Sequence, residues 1–409
     1  MKKQTDAAWH FITDRLFCPE TGLLYDYLGD FDHADRFCHL PAPEEIAASF
    51  PNPCGWSTGM EDCALNGGFL MDILRLRGEL QSDFAAAALR GLLSLGTVHG
   101  KRGFIVRGIS PADKKSCYGN SSRDQFTLAV FGLLTYWRNR HCDLLLRNEA
   151  VELLAAVADY CESIATPENN YNLRRLDGGR AVVSKLWECA PHEAFRLPMI
   201  FAAAAEATGE KKYFDLVRRF ARPGIERTLK MNPYDETWWD MPLIQMQISL
   251  NTFRESRIMP ELDSDVGEAM QLGAGIARRL LADSLDRASV RSESDGVLCR
   301  NWRLLPMYLP PATLGRTALF DGKSYLNPRF EDTYYHPLET MRGIGNLLGS
   351  IALTEEISPD DPLLCRADAV IGRFDFARCT HAGAIPLLHG RLLAASHSRT
   401  PEKFQYTEV

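Results

Sequence analysis

Apolar residues recur at i, i+3, i+4 and i+7 in segment after segment of this chain, and short runs of Gly, Pro and Asp separate the segments. That spacing lays the apolar side chains along one stripe of a helix of 3.6 residues per turn. It predicts twelve helices, over 4–16, 60–77, 81–97, 121–139, 144–165, 191–208, 211–230, 240–256, 264–286, 336–355, 362–375 and 383–395. Strand-like alternation is rare, so the expected fold class is all-α.

The segments alternate in character. Those over 121–139 and 191–208 are apolar around most of their circumference and call for burial on every side. Those over 144–165 and 211–230 carry regular Glu, Asp, Lys and Arg and would keep one face in water. Alternating inner and outer helices with short connections stack as hairpins, and six hairpins closed into a ring use all twelve segments. The expected architecture is therefore an (α/α)6 toroid, a single domain over 1–409. An open solenoid is the rival, but no residue pattern repeats at a fixed period. The long stretches 98–120 and 287–335, rich in Gly, Pro, Asn and Tyr, interrupt the rhythm and are expected over the mouth of the ring.

At 45% hydrophobic and 24% charged residues the chain can bury a large core. Its formal charge of -7, with Lys and Arg dispersed, offers no footprint for a nucleic-acid backbone or an anionic membrane, so neither is an expected partner. No apolar run approaches the roughly 18 residues of a membrane span, and the N-terminus lacks the apolar core of a signal peptide. A cytoplasmic address is the expectation. Eleven cysteines, at 18, 38, 54, 63, 117, 142, 161, 189, 299, 365 and 379, show no C-x-x-C and are expected to be reduced and structural. Neither H-E-x-x-H nor another metal spacing occurs, and the pairs Gly67–Gly68 and Gly178–Gly179 lack the G-x-G-x-x-G pattern, so no metal and no cofactor are expected.

The chemistry-bearing residues gather where inner helices begin. Five starts pair an acid with polar or aromatic neighbours: Glu61 and Asp62 after Trp56; Asp124 after Arg123; His192 and Glu193; Asp240 after Trp238 and Trp239; and Glu339 after Tyr334, Tyr335 and His336. Parallel inner helices would bring these groups to one pocket. Acids also favour any first helical turn, where they meet free amides and the positive end of the helix dipole. Ser121 to Asp124 and Thr58 to Glu61 both have capping-box spacing. Capping leaves the aromatic residues without a purpose, whereas the flat C–H face of a sugar ring packs on them.

Twelve alternating helices with acids at the inner starts resemble the six-hairpin toroid superfamily of glycan-active enzymes, and within it the unsaturated glucuronyl and rhamnogalacturonyl hydrolases. Glu61-Asp62-Cys63-Ala64-Leu65-Asn66 and Arg123-Asp124-Gln125-Phe126 carry that likeness, with 124 − 62 = 62 positions between the two Asp residues. The resemblance implies that Asp124 is general acid and base, protonating an unsaturated uronyl ring and activating water, while Asp62 orients an oligosaccharide or small sugar. An ordinary inverting glycosidase would use the same two positions, about 6.5–9.5 Å apart, as acid and base.

Other residues divide between site and scaffold. Arg107, in the hairpin-like run Gly103 to Gly108, can reach a substrate carboxylate or lie on the surface of a short strand. Arg123 beside Asp124 would lower its pKa, which favours a carboxylate over an acid there. Arg342 can pair with Glu339 on one helix face, and Asp332 sits in the long loop as a substrate contact or a turn residue. A sugar epimerase on the same toroid would instead use His192, His336 and His389, and a non-catalytic glycan-binding protein would keep the aromatic pocket alone. Asp124→Asn, His192→Ala and His336→Ala separate these readings.

Overall fold

The computed structural model describes residues 2–235, 238–290, 302–304, 318–320, 323–325 and 332–396, without the side chains of 289–290, 304, 318–320, 323–325 and 332–339. The described residues are mostly helical. The helices are α1 (Lys2–Phe11), α2 (Pro43–Ala47), α3 (Cys63–Arg77), α4 (Asp83–Ser94), α5 (Arg123–Arg138), α6 (Leu144–Ile164) and α7 (Arg196–Thr208). They continue as α8 (Lys211–Thr228), α9 (Asp240–Ser256), α10 (Asp263–Val290), α11 (Asp332–Ala352), α12 (Pro362–Ile371) and α13 (Ala384–Ser396). Three small antiparallel hairpins join them: β1 (Phe17–Cys18) with β2 (Leu23–Leu24), β3 (Asn172–Arg174) with β4 (Arg180–Lys185), and β5 (Ala318–Phe320) with β6 (Lys323–Tyr325).

Each of the twelve predicted segments contains a helix, and the division into two kinds follows from side-chain chemistry. Every residue from Cys63 to Leu74 in α3, from Gln125 to Tyr136 in α5 and from Arg196 to Ala205 in α7 is buried. In α8 the buried residues are Tyr213, Leu216, Val217, Phe220, Ala221, Gly224, Ile225 and Thr228, a single stripe at helical spacing. Helices α3, α5 and α7, together with α9, α11 and α13, touch in succession: α3 packs on α5, α5 on α7, α7 on α9, α9 on α11, α11 on α13, and α13 on α3. Outside them, α4 packs on α3 and α6, α6 on α5 and α7, α8 on α7, α10 on α9 and α11, α12 on α10, and α1 on α13.

Glycines let two inner pairs approach backbone to backbone. A Cβ on Gly68 would stand 2.1 Å from the Leu128 carbonyl oxygen, and one on Gly390 would stand 1.9 Å from the Gly345 carbonyl oxygen. At the far ends of α5, α7 and α9, Arg138 holds Glu206 through Nε at 2.9 Å and Nη2 at 2.8 Å, and also meets Glu255. Joining last-turn residues of three helices in this way makes the three run parallel, so their N-termini share the opposite end.

Several sequence expectations need correction. Helix α11 begins at Asp332, so His336 and Glu339 lie past its first residues and Asp332 is helical rather than part of a loop. Helix α7 begins at Arg196 after a 3-10 turn over Pro191–Glu193. The run Gly103 to Gly108 forms no strand, whereas β3 and β4 form a hairpin whose register shifts between Asn172 and Arg174. Most of 287–335, expected over the mouth, lies outside the described residues. The ten described cysteines are free. No helix among the described residues is long and apolar enough to cross a membrane.

Candidate functional site

The loop into α3 delivers two adjacent acids. Ser57 and Gly59 take positive φ values of 65° and 88°, which folds the loop tightly enough for the Ser57 N–H to donate to Glu61 Oε2 at 3.1 Å. Asp62, the residue before the helix, makes no cap on its own amides. Its Oδ1 accepts instead from Gln125 Nε2 of α5 at 2.7 Å, while Gln125 Oε1 accepts from the Leu65 N–H at 3.2 Å. Arg107 arrives from the 98–120 stretch, with Nη1 3.6 Å from Asp62 Oδ1 and donating to the Glu61 carbonyl at 3.1 Å. The Arg107 side chain is only 6% exposed, so the surface-strand reading of it is wrong. Its guanidinium lies 6.0 Å from the ring centre of half-buried Trp56.

At the start of α5, Asp124 forms an ion pair with Arg196 of α7, and Arg123 pairs with Glu193 and donates to the Lys185 carbonyl at 3.0 Å. Glu193 also lies 3.9 Å from Arg196 and 3.7 Å from His192 Nε2. The capping reading fails for this end too. The Ser122 side chain makes no cap, the Ser121 hydroxyl has no partner, and Thr58 donates to the Gly55 carbonyl at 2.6 Å. These acids therefore serve neighbouring helices rather than the ends of their own.

Asp240 repeats the pattern. It opens α9, and its Oδ2 accepts from Arg342 Nε at 3.3 Å and Asn346 Nδ2 at 2.7 Å, both from α11. The His192 ring meets Trp238 edge to face at 4.9 Å, and Trp238 Nε1 donates to the Asn232 carbonyl at 2.7 Å. Trp239 is 48% exposed and turns outward. The side chains of Tyr334, Tyr335, His336 and Glu339 lie outside the described residues. His389 is buried between α3 and α13, where its Nε2 meets Asp72 Oδ2 at 2.8 Å, and no described contact joins it to Glu61, Asp62 or Asp124.

The electrostatics divide the acids. Burial, then the charge of Asp62, pushes Glu61 up to about 7, with Arg107 opposing. Burial also raises Asp62, against the pull of Arg107 and the Gln125 hydrogen bond, and Asp124 adds to the rise. Asp124 moves the other way. Burial alone would raise it, but Arg196 and then Arg123 outweigh that and hold it below the usual carboxylate range. His192 is lowered, chiefly by burial. Asp62 keeps 40% of its side-chain surface accessible and Asp124 28%. Arg342 acts on both Glu61 and Asp62 from α11.

Four participants were not singled out in the sequence: Asp26, Gln125, Arg196 and Asn346. Arg196 had a signal, being a charged residue at the head of the apolar run Leu197 to Ala205, where an unpaired charge would be costly. Asp26 had none. Among the described residues no group of three or more His, Cys, Asp or Glu side chains is arranged to hold a metal ion. Comparison with protein-family models, with curated proteins and with solved structures finds no match.

Proposed function

We propose that this chain is a glycan-active hydrolase on an (α/α)6 toroid, acting on an oligosaccharide that carries a uronic acid. The cycle of contacts from α3 through α13 and back supports the toroid, and the outer helices supply the second member of each hairpin. One observation carries the chemistry: acids at the starts of neighbouring helices are shifted in opposite directions, Glu61 and Asp62 upward and Asp124 downward. Two carboxyl groups separated in this way supply an acid and a base at one pH.

In this reading the Glu61–Asp62 pair shares a proton near neutral pH and delivers it to the substrate, and Asp124 takes a proton from water. On a saturated glycoside the proton goes to the leaving oxygen as the water oxygen bonds to the sugar carbon. On an unsaturated uronide it goes to an alkene carbon, water adds to the other, and the product opens. This reverses the division of labour that the resemblance implies, because Arg196 and Arg123 keep Asp124 ionised. Arg107 and Arg342, which face the pair, are the groups suited to a sugar carboxylate.

The test is loss of ultraviolet absorbance from unsaturated uronyl oligosaccharides, run beside release of reducing ends from saturated ones. Glu61→Gln and Asp124→Asn are each expected to slow turnover by at least about 10²-fold. No turnover of either substrate type, or unchanged rates in both variants, overturns the proposal.

A further inference from the structure

Asp26 is the residue against which the acid pair is built. It follows β2, and its backbone is pinned on two sides: its N–H donates to the Gly59 carbonyl at 2.9 Å and its carbonyl accepts from the Ala382 N–H at 2.7 Å. The next residues repeat this, the Tyr27 hydroxyl donating to the Ser57 carbonyl at 2.8 Å and the Leu28 N–H to the Thr380 carbonyl at 2.7 Å. Residues 26–28 thus tie the loop before α3 to the loop before α13.

From that position the Asp26 side chain takes three donors. Oδ2 accepts from the Glu61 N–H at 2.8 Å and the Asp62 N–H at 3.3 Å, and Oδ1 accepts from Asn66 Nδ2 at 3.1 Å, one turn into α3. Asp26 reaches these two amides, which lie just before the helix, from 35 positions upstream.

We propose that Asp26 is the positioning residue of the Glu61–Asp62 acid pair, fixing the backbone that presents both carboxyls. This rests on the reading of Glu61 and Asp62 as the proton donor. The groups that face the set are known from each side. Glu61, Asp62 and the Cys63 thiol face Asp26; Asp62, Arg107 and Arg342 face Glu61; Arg107, Asp124 and Arg342 face Asp62. Burial, then Asp62 and Glu61, pushes Asp26 well up, as expected of three carboxyls that compete for few protons.

The experiment is a carbon-13 NMR titration of the full chain labelled at glutamate carboxyls, with the Glu61 resonance assigned by its loss in Glu61→Gln. Asp26→Asn keeps one oxygen acceptor where the carboxyl offers two, so one of its three donors loses its partner; the loop should loosen, water should reach Glu61, and Glu61 should ionise at a lower pH. Asn66→Ala removes one of the three donors that hold the Asp26 side chain in place, and Glu61 should shift the same way by less. A merely structural Asp26 would lower the melting temperature and leave the Glu61 midpoint where it was. An unchanged midpoint in both folded variants overturns the proposal. The titration needs no substrate, so a downward shift in a protein that consumes no uronide supports the role of Asp26 and retires only the hydrolase reading. Where the wild-type chain is active, the alkaline limb of its pH–rate profile should move down with the midpoint in Asp26→Asn.

Discussion

Gln125 caps a helix that is not its own. Its Oε1 accepts from the Leu65 N–H at 3.2 Å while its Nε2 donates to Asp62 Oδ1 at 2.7 Å, so one side chain of α5 both terminates α3 and holds the acid at its head. The two inner helices are joined at the end where the acids sit. Gln125 and Leu65 are both buried, so the bond to the Leu65 amide is not replaced by water when it is lost.

Gln125→Leu should therefore cost roughly 1–3 kcal/mol, because it leaves the Leu65 amide buried and unpaired. Asp62 loses a donor that lowers its pKa, so the acid pair should keep its proton to higher pH. Urea unfolding measures the first effect. An upward shift of the alkaline limb of the activity profile measures the second.

Arg196→Met should free Asp124. The Arg196 side chain is 2% exposed, and removing one partner of a pair this enclosed costs about 3 kcal/mol in stability, less some screening at Asp124, which is 28% exposed. Asp124 should then titrate at a higher pH, moving the acidic limb of activity upward. Arg196→Lys keeps the charge and should move that limb less, which distinguishes loss of charge from loss of packing.

Stability should depend on pH through both kinds of acid. Glu61 is raised from 4.5 to about 7 in the folded chain, so its contribution is complete below about 4.5 and is lost as pH rises through about 7. Asp72 and Asp124 are lowered, so their contributions are present above 3.8 and are lost as pH falls further. Thermal unfolding from pH 3 to 8 should show a decline between about 4.5 and 7 that Glu61→Gln flattens.

Gly390→Ala should disrupt the contact between α13 and α11. The new Cβ would lie 1.9 Å from the Gly345 carbonyl oxygen, which is backbone and cannot rotate away, so the helices must separate. Overpacking of this kind costs about 1–3 kcal/mol or more. Gly78→Ala, where nothing lies within 4 Å, tests the cost of a positive φ without the clash, and should cost only about 1 kcal/mol.

Helix existence and kind were readable from residues alone. Period and circumference are local properties, so the all-round apolar run at 121–139 announces a buried helix and the charged stripe at 211–230 a half-exposed one, whatever the rest of the chain does. Acids at the heads of inner helices were readable for the same reason. Helix starts were less so: α11 begins four residues before the segment read from 336, because Pro337 looked like a first-turn residue and sits inside the helix instead.

Which partners each acid meets was decided only by folding. Asp62, Asp124 and Asp240 look alike in sequence, each at or just before the first residues of an inner helix. Their partners lie far away along the chain: Gln125 for Asp62, Arg196 for Asp124, Arg342 and Asn346 for Asp240. Asp26 joins the first of these groups from 35 positions upstream with no pattern to mark it. Periodicity is set by bonds within one helical turn. A charge state is set by desolvation and by charges within a few ångströms, and which residues those are depends on how the helices pack.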